Sequence, residues 1–201
     1  MNPEEAYEYA SENGPDEKTR NIVCQDPVYA YFYALNIDKC PQENTRKTAC
    51  KDPVHACLYA LYIDKCSRKD TREAACKNPE YACFYAFNVD NSPTKETRKA
   101  VCRDPKWAFF YARDIDECPR KDTRKAVFKD PECTYCYAVL VDKGPRRDTR
   151  KIVCQDPKYA FLYARDVDRG FHKDTYNVVI NTIYEEKYKE FLNSATKEEV
   201  I

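Results

Sequence analysis

Glycine is scarce in this chain, and so are the signals that would place it in or across a membrane. Only three glycines occur among 201 residues, so few turns can depend on a positive φ angle. No apolar run approaches the roughly 18 residues that a membrane-spanning helix needs. The N-terminal residues have neither the basic region nor the apolar stretch of a secretory signal. We therefore expect a cytoplasmic protein whose twelve cysteines are reduced thiols.

The chain also lacks net charge and the usual signatures of catalysis. Its 34 basic residues balance 34 acidic ones, which leaves no overall field to attract nucleic acid or anionic lipid. There is no glycine-rich phosphate loop, nucleophile elbow or paired acidic motif. Cys50, His55 and Cys57 could supply three metal ligands, but the spacing fixes no fourth. The sequence thus predicts a protein that is not an enzyme and holds no metal or cofactor.

What the chain does contain is a repeat with an unbroken period of 26 residues. A Thr-Arg pair opens each repeat, and a cysteine, an Asp-Pro pair, a Tyr-Ala pair and an aspartate follow at fixed places. Stacked arrays of such small repeats usually bind other molecules and rarely catalyse reactions. The opening threonines are Thr19, Thr45, Thr71, Thr97, Thr123 and Thr149.

Each repeat has the pattern of two short helices. In the fourth repeat the first helix is predicted over 97–103, and the second begins at Pro105 and continues to Asp116. Asp104 is well suited to cap the second helix, and proline in the first helical position loses no hydrogen bond. The residue before each threonine is predicted to cap the first helix: Asn44, Asp70, Glu96, Asp122, Asp148 and Asp174.

This pattern predicts an all-α fold, a right-handed α-solenoid-like array of helix-turn-helix repeats that forms a single domain over residues 1–201. Residues 1–18 are expected to form an N-terminal cap, with a lone second helix over 3–10. Residues 19–174 are the six repeats, and 175–201 are a capping helix, from about 175 to 193, and a tail. Because isolated helices this short are marginal in water, each must be stabilised by its neighbours.

One tyrosine recurs at the centre of the apolar face of every second helix, which we call the tyrosine column. A helical period of aromatic residues is typical of a core, in which each hydroxyl reaches a polar group. The alternative is a ladder on which single-stranded bases stack. We favour the core interpretation. The column consists of Tyr33, Tyr59, Tyr85, Tyr111, Tyr137 and Tyr163.

An arginine and an aspartate also recur once in every repeat. Equal numbers of the two favour pairing, and a bidentate bond to a carboxylate explains why lysine never replaces the arginine. The alternative is a stripe of arginines that binds phosphate. The arginines are Arg20, Arg46, Arg72, Arg98, Arg124 and Arg150, and the aspartates are Asp38, Asp64, Asp90, Asp116, Asp142 and Asp168.

A cysteine occupies one position in five of the six repeats: Cys24, Cys50, Cys76, Cys102 and Cys154. Phe128 replaces it in the fifth repeat, which indicates a buried apolar position. Three further cysteines, Cys40, Cys66 and Cys118, lie in the links between repeats and are expected to be the exposed thiols.

The repeat resembles two known helical-repeat families. One is an uncharacterised repeat of similar length in bacterial and viral proteins, which residues 157–164 (PKYAFLYA) and 2–11 (NPEEAYEYAS) resemble. The other is the leucine-rich repeat variant, whose Arg-x-Ala-Val-Ala-x-Asn-Pro phrase is similar to residues 98–105 (RKAVCRDP). That family has Leu-Leu where this chain has Tyr-Ala. The resemblance covers about residues 3–175 and implies a curved helical array without enzymatic activity. A viral source, and with it the host cytoplasm, is an expectation of the same kind.

Surface positions that differ between repeats are the best candidates for function. They predict a partner-binding face formed by Leu35, Leu61, Tyr62, Phe87, Arg113 and Arg165. Contiguous exposed apolar residues suggest a protein contact, although packing between repeats could also explain them. We expect non-enzymatic binding of another protein, such as a host factor that a viral protein binds or inhibits. The alternatives are nucleic-acid binding through the Arg and Tyr columns and a disulfide-stabilised virion component.

Overall fold

The computed structural model describes residues 1–198 and the side chains of residues 1–194. Over this range the protein is all-helical, with no β-strand, and its repeats of about 26 residues are helix pairs that pack against their neighbours. The described α-helices are α1 (Pro3–Asn13), α2 (Glu17–Val23), α3 (Pro27–Tyr33), α4 (Glu43–Ala49), α5 (Pro53–Tyr59), α6 (Lys69–Ala75), α7 (Pro79–Tyr85), α8 (Lys95–Val101), α9 (Pro105–Asp114), α10 (Lys121–Val127), α11 (Pro131–Tyr137), α12 (Arg147–Val153), α13 (Pro157–Tyr163), α14 (Lys173–Val179) and α15 (Glu185–Glu198).

The chain forms two compact units, Met1–Val101 and Cys102–Ile201, which we call unit 1 and unit 2. In unit 1 the second helices α3, α5 and α7 pack side by side, and α1 packs on α3 in the same layer. Each second helix also packs against the first helix of the following repeat, as α3 does against α4. In unit 2, α9, α11 and α13 are arranged in the same way. Each unit is therefore an array of helix pairs in two layers.

The Asp-Pro pairs begin the second helices, as predicted. The side chain of Asp26 accepts a hydrogen bond from the backbone N–H of Val28 at 2.8 Å, and Asp104 accepts one from Lys106 at 2.9 Å. Proline occupies the first turn of each of these helices, where its missing N–H leaves no hydrogen bond unmade. Aspartate and proline together therefore fix where each second helix begins.

The predicted caps of the first helices are wrong. Most of these helices begin two residues before the threonine, so Asp70 lies in the first turn of α6 and Asn44 in that of α4. The cap residue of α4 is Gln42, whose side chain makes no capping bond. Its backbone N–H instead donates to the hydroxyl of Tyr59 at 3.0 Å. A tertiary contact with the second helix thus replaces the local cap. The residues that were wrongly predicted as caps, and that lie within the first turn instead, are Asn44, Asp70, Glu96, Asp122, Asp148 and Asp174.

The second helix also changes its geometry before it ends, so the regular three-turn α-helix is wrong for five repeats. A π-helical segment of five residues follows: Ala34–Asp38, Ala60–Asp64, Ala86–Asp90, Ala138–Asp142 and Ala164–Asp168. After each segment comes a residue with a left-handed backbone, such as Lys65 with φ 53°. The last residue of each segment is the aspartate that recurs once in every repeat, and it binds the arginine of its own repeat.

The tyrosine column is buried, as the core interpretation predicted. All six rings are 0% exposed. The hydroxyl of Tyr59 lies 2.9 Å from Thr45 Oγ1, and Tyr163 lies 2.8 Å from Thr149 in the same way. Burial raises the pKa of Tyr59. The tyrosine therefore joins its helix to the opening threonine of the same repeat at Thr19, Thr45, Thr71, Thr123 and Thr149. No ring of the column faces solvent for a base to stack on.

The arginines and aspartates pair within repeats, which confirms the structural interpretation. Arg46 donates from Nη2 to Asp64 Oδ1 at 2.5 Å and from Nε to Oδ2 at 2.9 Å. This bidentate bond raises the pKa of Arg46, whose guanidinium carbon also lies 5.5 Å from the ring of Tyr59. Arg124 binds Asp142 through one nitrogen only, which leaves its Nε without a partner. Within the units the pairs are Arg20–Asp38, Arg46–Asp64, Arg72–Asp90, Arg124–Asp142 and Arg150–Asp168.

The prediction of one capping helix over 175–193 is also wrong. The chain breaks between α14 and α15, where Asn181 adopts a left-handed φ of 60°. The break lets α15 fold back, so that the hydroxyl of Tyr188 lies 2.9 Å from Thr175 Oγ1. Tyr188 is fully buried, like the tyrosine column. Helices α14 and α15 therefore form an imperfect further helix pair. At the other end, α1 is the predicted lone second helix, with Glu4, Glu5 and Glu8 exposed.

Candidate protein-interaction surface

The second helices of unit 1 present one side to solvent. Their buried sides carry the tyrosine column and the small residues beside it, Ala30, Ala56 and Ala82. Small residues let neighbouring helices approach closely, so α3, α5 and α7 form a continuous layer. Whatever lies on the opposite side of this layer is available to a partner.

The predicted residues of unit 1 lie on this outer side. Phe87 is 57% exposed and Tyr62 is 52% exposed, whereas Leu35 and Leu61 are half-buried. Phe32, which the sequence analysis missed, is 40% exposed and lies one helical turn before Leu35. We call these five residues the apolar strip. Phe32 could have been found by noting that the equivalent positions in the next repeats are also apolar, Leu58 and Phe84.

Part of the strip also serves packing. Leu35 packs, with Leu58, against a buried cluster that contains Tyr31 and Ile63. The neighbouring polar side chains are held by their own chain: Asn36 donates to the hydroxyl of Tyr7 at 2.9 Å. Phe87 and Tyr62 therefore are the members that stand furthest into solvent, while Leu35 contributes to both the core and the surface.

Unit 2 covers the same position differently. Arg113 occupies the place of Leu35 and binds Asp114 through two nitrogens at 2.6 and 2.7 Å. Its guanidinium carbon lies 4.9 Å from the ring of Phe110 and 5.2 Å from that of Phe109. A flat cation of this kind gains from both the carboxylate and the aromatic faces. Arg113 thus shields rings that would otherwise add to an apolar surface.

Arg165 repeats this arrangement in the sixth repeat. It binds Asp166 at 2.7 and 2.9 Å and lies 5.6 Å from the ring of Phe161. Tyr135 donates a further hydrogen bond to Asp166 at 2.5 Å. The bond from Arg165 is the main cause that lowers the pKa of Asp166. Arg113 and Arg165 are therefore engaged with carboxylates, and their predicted role in partner binding remains a prediction.

The cysteines are spread over the array. Cys24, Cys50 and Cys154 are half-buried, and Cys57 is buried. Burial raises the pKa of Cys50 to about 11 and that of Cys57 to about 12. The link cysteines Cys40 and Cys66 are exposed, as predicted, whereas Cys118 is half-buried. No group of three or more His, Cys, Asp or Glu side chains that could hold a metal ion occurs within the described part of the chain.

Comparisons of the chain with protein-family models, with curated proteins and with solved structures found no match. The resemblance to helical-repeat families therefore stays a prediction, and the surface has to be interpreted from its own chemistry. None of the helices over residues 1–198 is long and apolar enough to cross a membrane.

Proposed function

We propose that this protein binds another protein, without catalysis, through the apolar strip of unit 1. The observation that carries the proposal is the exposure of Phe32, Tyr62 and Phe87 on one layer of adjacent helices. Monomeric proteins rarely leave large apolar side chains exposed together unless the patch has a function. Complete burial of such a side chain contributes about 1.5–3 kcal/mol, so a few of them can hold a partner.

The surroundings of the strip indicate the chemistry of the partner. Lys39 and Lys65 are exposed and directly follow the segments that carry Leu35 and Leu61. A partner segment with apolar side chains along one side and acidic residues beside them is complementary to this arrangement. An amphipathic helix that lies across the second helices would meet both requirements.

Unit 2 supplies the variant that tests the proposal. The double substitution Phe87→Arg with Asn88→Asp copies the Arg113–Asp114 pair onto the end of the strip. Peptides are selected from a display library on the wild-type protein, and their affinities for both proteins are measured by fluorescence anisotropy. We expect acidic, amphipathic peptides that bind the variant at least about tenfold more weakly, which is a loss of about 1.4 kcal/mol.

A matched control introduces the same residue types on the other layer. Glu43→Arg with Lys47→Asp changes two exposed residues of α4 and should leave peptide binding unchanged. Equal binding to all three proteins, or no selectable peptide at all, would contradict the proposal.

Circular dichroism separates binding from packing. The milder pair Leu61→Ser with Phe87→Ser should keep the helical spectrum and the cooperative melting of the wild type while it lowers peptide affinity. If these variants lose their fold instead, the strip serves packing between repeats, and the proposal is wrong.

A further inference from the structure

A groove in unit 2 lies apart from the apolar strip. It has a volume of about 680 Å³ and opens to solvent between α13 and α15. We call it the basic groove, because three cations line it together with aromatic rings. Glu190 is the single acidic residue among those that line it. Its main lining residues are Lys158, Phe161, Arg165, Tyr184, Lys187 and Phe191.

Two of its cations are available to a ligand. Arg165 is already neutralised by Asp166. Lys158 and Lys187, by contrast, form no ion pair with any side chain of residues 1–194. Their ammonium groups lie 4.8 Å from the ring of Tyr159 and 5.5 Å from that of Tyr184. The groove therefore offers two uncompensated positive charges beside an aromatic surface, which suits an acidic segment with an aromatic side chain.

Such a segment exists on this chain. Helix α1 contains no basic residue, and Glu5, Glu8, Tyr9 and Glu12 lie along one exposed side of it. Glu8 and Glu12 form no ion pair with any side chain of residues 1–194, and they are one helical turn apart, or about 6 Å along the axis. Tyr9 has the register of the tyrosine column, yet it is 49% exposed where the column is buried. An exposed ring thus stands between two uncompensated acids.

We propose that α1 of one copy of this chain binds in the basic groove of a second copy. Tyr9 would lie against the ring of Tyr184, with Glu8 and Glu12 beside Lys158 and Lys187. The contact joins two different surfaces, so it is heterologous and can continue beyond two copies. It does not depend on the apolar strip, and strip variants should associate as the wild type does.

Reversed charges test the contact on the full chain. Light scattering after size-exclusion chromatography is measured over a range of concentrations and salt. We expect wild-type association that weakens at least about tenfold between low salt and about 0.5 M salt, because exposed ion pairs are screened. Glu8→Lys with Glu12→Lys, and separately Lys158→Glu with Lys187→Glu, should each weaken association to a similar extent.

Mixing the two variants gives the decisive result. The variant reversed in α1 keeps an intact groove, and the variant reversed in the groove keeps an intact α1, so the mixture should associate although neither protein does alone. If circular dichroism shows that a reversed variant is unfolded, glutamine at the same four positions replaces it.

Three results would overturn the proposal. One is a wild type that stays monomeric up to about 1 mM at low salt. Another is folded variants that associate like the wild type. The third is a mixture of the two variants that does not associate. If the wild type is monomeric and its groove binds an unrelated acidic helical peptide but not the peptide of residues 1–13, the groove belongs to a foreign partner.

Discussion

Unit 1 and unit 2 share their interior and differ on their outer side. In both, a buried tyrosine binds an opening threonine, and an arginine binds the aspartate at the end of a π-helical segment. On the outer side, unit 1 exposes Tyr62 and Phe87, whereas unit 2 has Arg165 over an aromatic ring with a carboxylate beside it. In the fourth and sixth repeats an arginine–aspartate pair therefore lies where unit 1 exposes apolar side chains, whereas the fifth repeat exposes Leu140 at 46%.

This difference shows which positions the fold constrains. The interior columns are constrained, because the column tyrosines are buried and the paired aspartate side chains are at most 6% exposed. The outer positions touch few neighbours, so apolar residues and ion pairs are both compatible with folding. Substitutions at the outer positions should therefore change the free energy of unfolding much less than substitutions at the interior positions.

The largest effect is expected where an interior ion pair is broken. Arg46→Met in unit 1 and Arg150→Met in unit 2 should each lower the free energy of unfolding by about 3–5 kcal/mol, because a buried aspartate is left without its countercharge. Arg165→Met removes an exposed pair and should cost at most about 1 kcal/mol. Urea denaturation monitored by circular dichroism measures all three.

This comparison would break if Arg165→Met cost as much as Arg46→Met.

The half-buried cysteines of the two units should be equally unreactive. Burial raises the pKa of both Cys50, in unit 1, and Cys154, in unit 2, to about 11. At pH 8 their thiolate fraction is then about a hundredfold below that of an ordinary cysteine. Alkylation mapped by mass spectrometry should modify exposed Cys40 and Cys66 first. Cys50 and Cys154 should react about equally slowly. Below their pKa, the rate of both should rise about tenfold for each unit by which the pH is raised. A fast reaction of only one of them would show that the two interiors differ.

The sequence predicted the features that depend on register within a repeat. Helix pairs, Asp-Pro starts, the buried Tyr59 and the Arg46–Asp64 pair all follow from residues that recur at a fixed spacing. The π-helical segments were not predicted, because none of the left-handed residues that follow them is a glycine, and three of the five are lysines such as Lys65. Local propensity gives no sign of such a backbone in a lysine.

The candidate surfaces were predicted only in part, for a related reason. Tyr62 and Phe87 were found because they differ between repeats, which a single sequence can show. The basic groove was missed because it depends on how α15 returns to pack beside α13 after the break at Asn181. That return is fixed by Tyr188 reaching Thr175, a contact that lies outside the regular repeat.

A smaller effect is expected when only the hydroxyl of a column tyrosine is removed. Tyr59→Phe and Tyr163→Phe should each lower the free energy of unfolding by about 1–2 kcal/mol while the ring stays packed. Thr45 or Thr149 loses its bond to the hydroxyl, and so does the backbone N–H of Gln42 or Arg146. Differential scanning calorimetry of the two variants measures the change. Unequal losses would indicate that the columns of unit 1 and unit 2 are not equivalent, whereas a matched exposed change, Tyr62→Phe, should have no measurable effect.

The smallest effect is a gain in stability, at the residues that follow the π-helical segments. Lys65 in unit 1 and Lys143 in unit 2 have φ angles of 53° and 54°, and both side chains are exposed. A left-handed backbone costs an L-residue about 1–2 kcal/mol. Glycine removes this strain, but its greater conformational freedom in the unfolded chain cancels part of the gain. Lys65→Gly and Lys143→Gly should therefore each raise the free energy of unfolding by about 0.5 kcal/mol. Alanine at the same positions keeps the strain and should give no gain. If glycine lowers the stability in one unit alone, the lysine of that unit makes a stabilising contact. The two units would then differ at the residue that follows the π-helical segment.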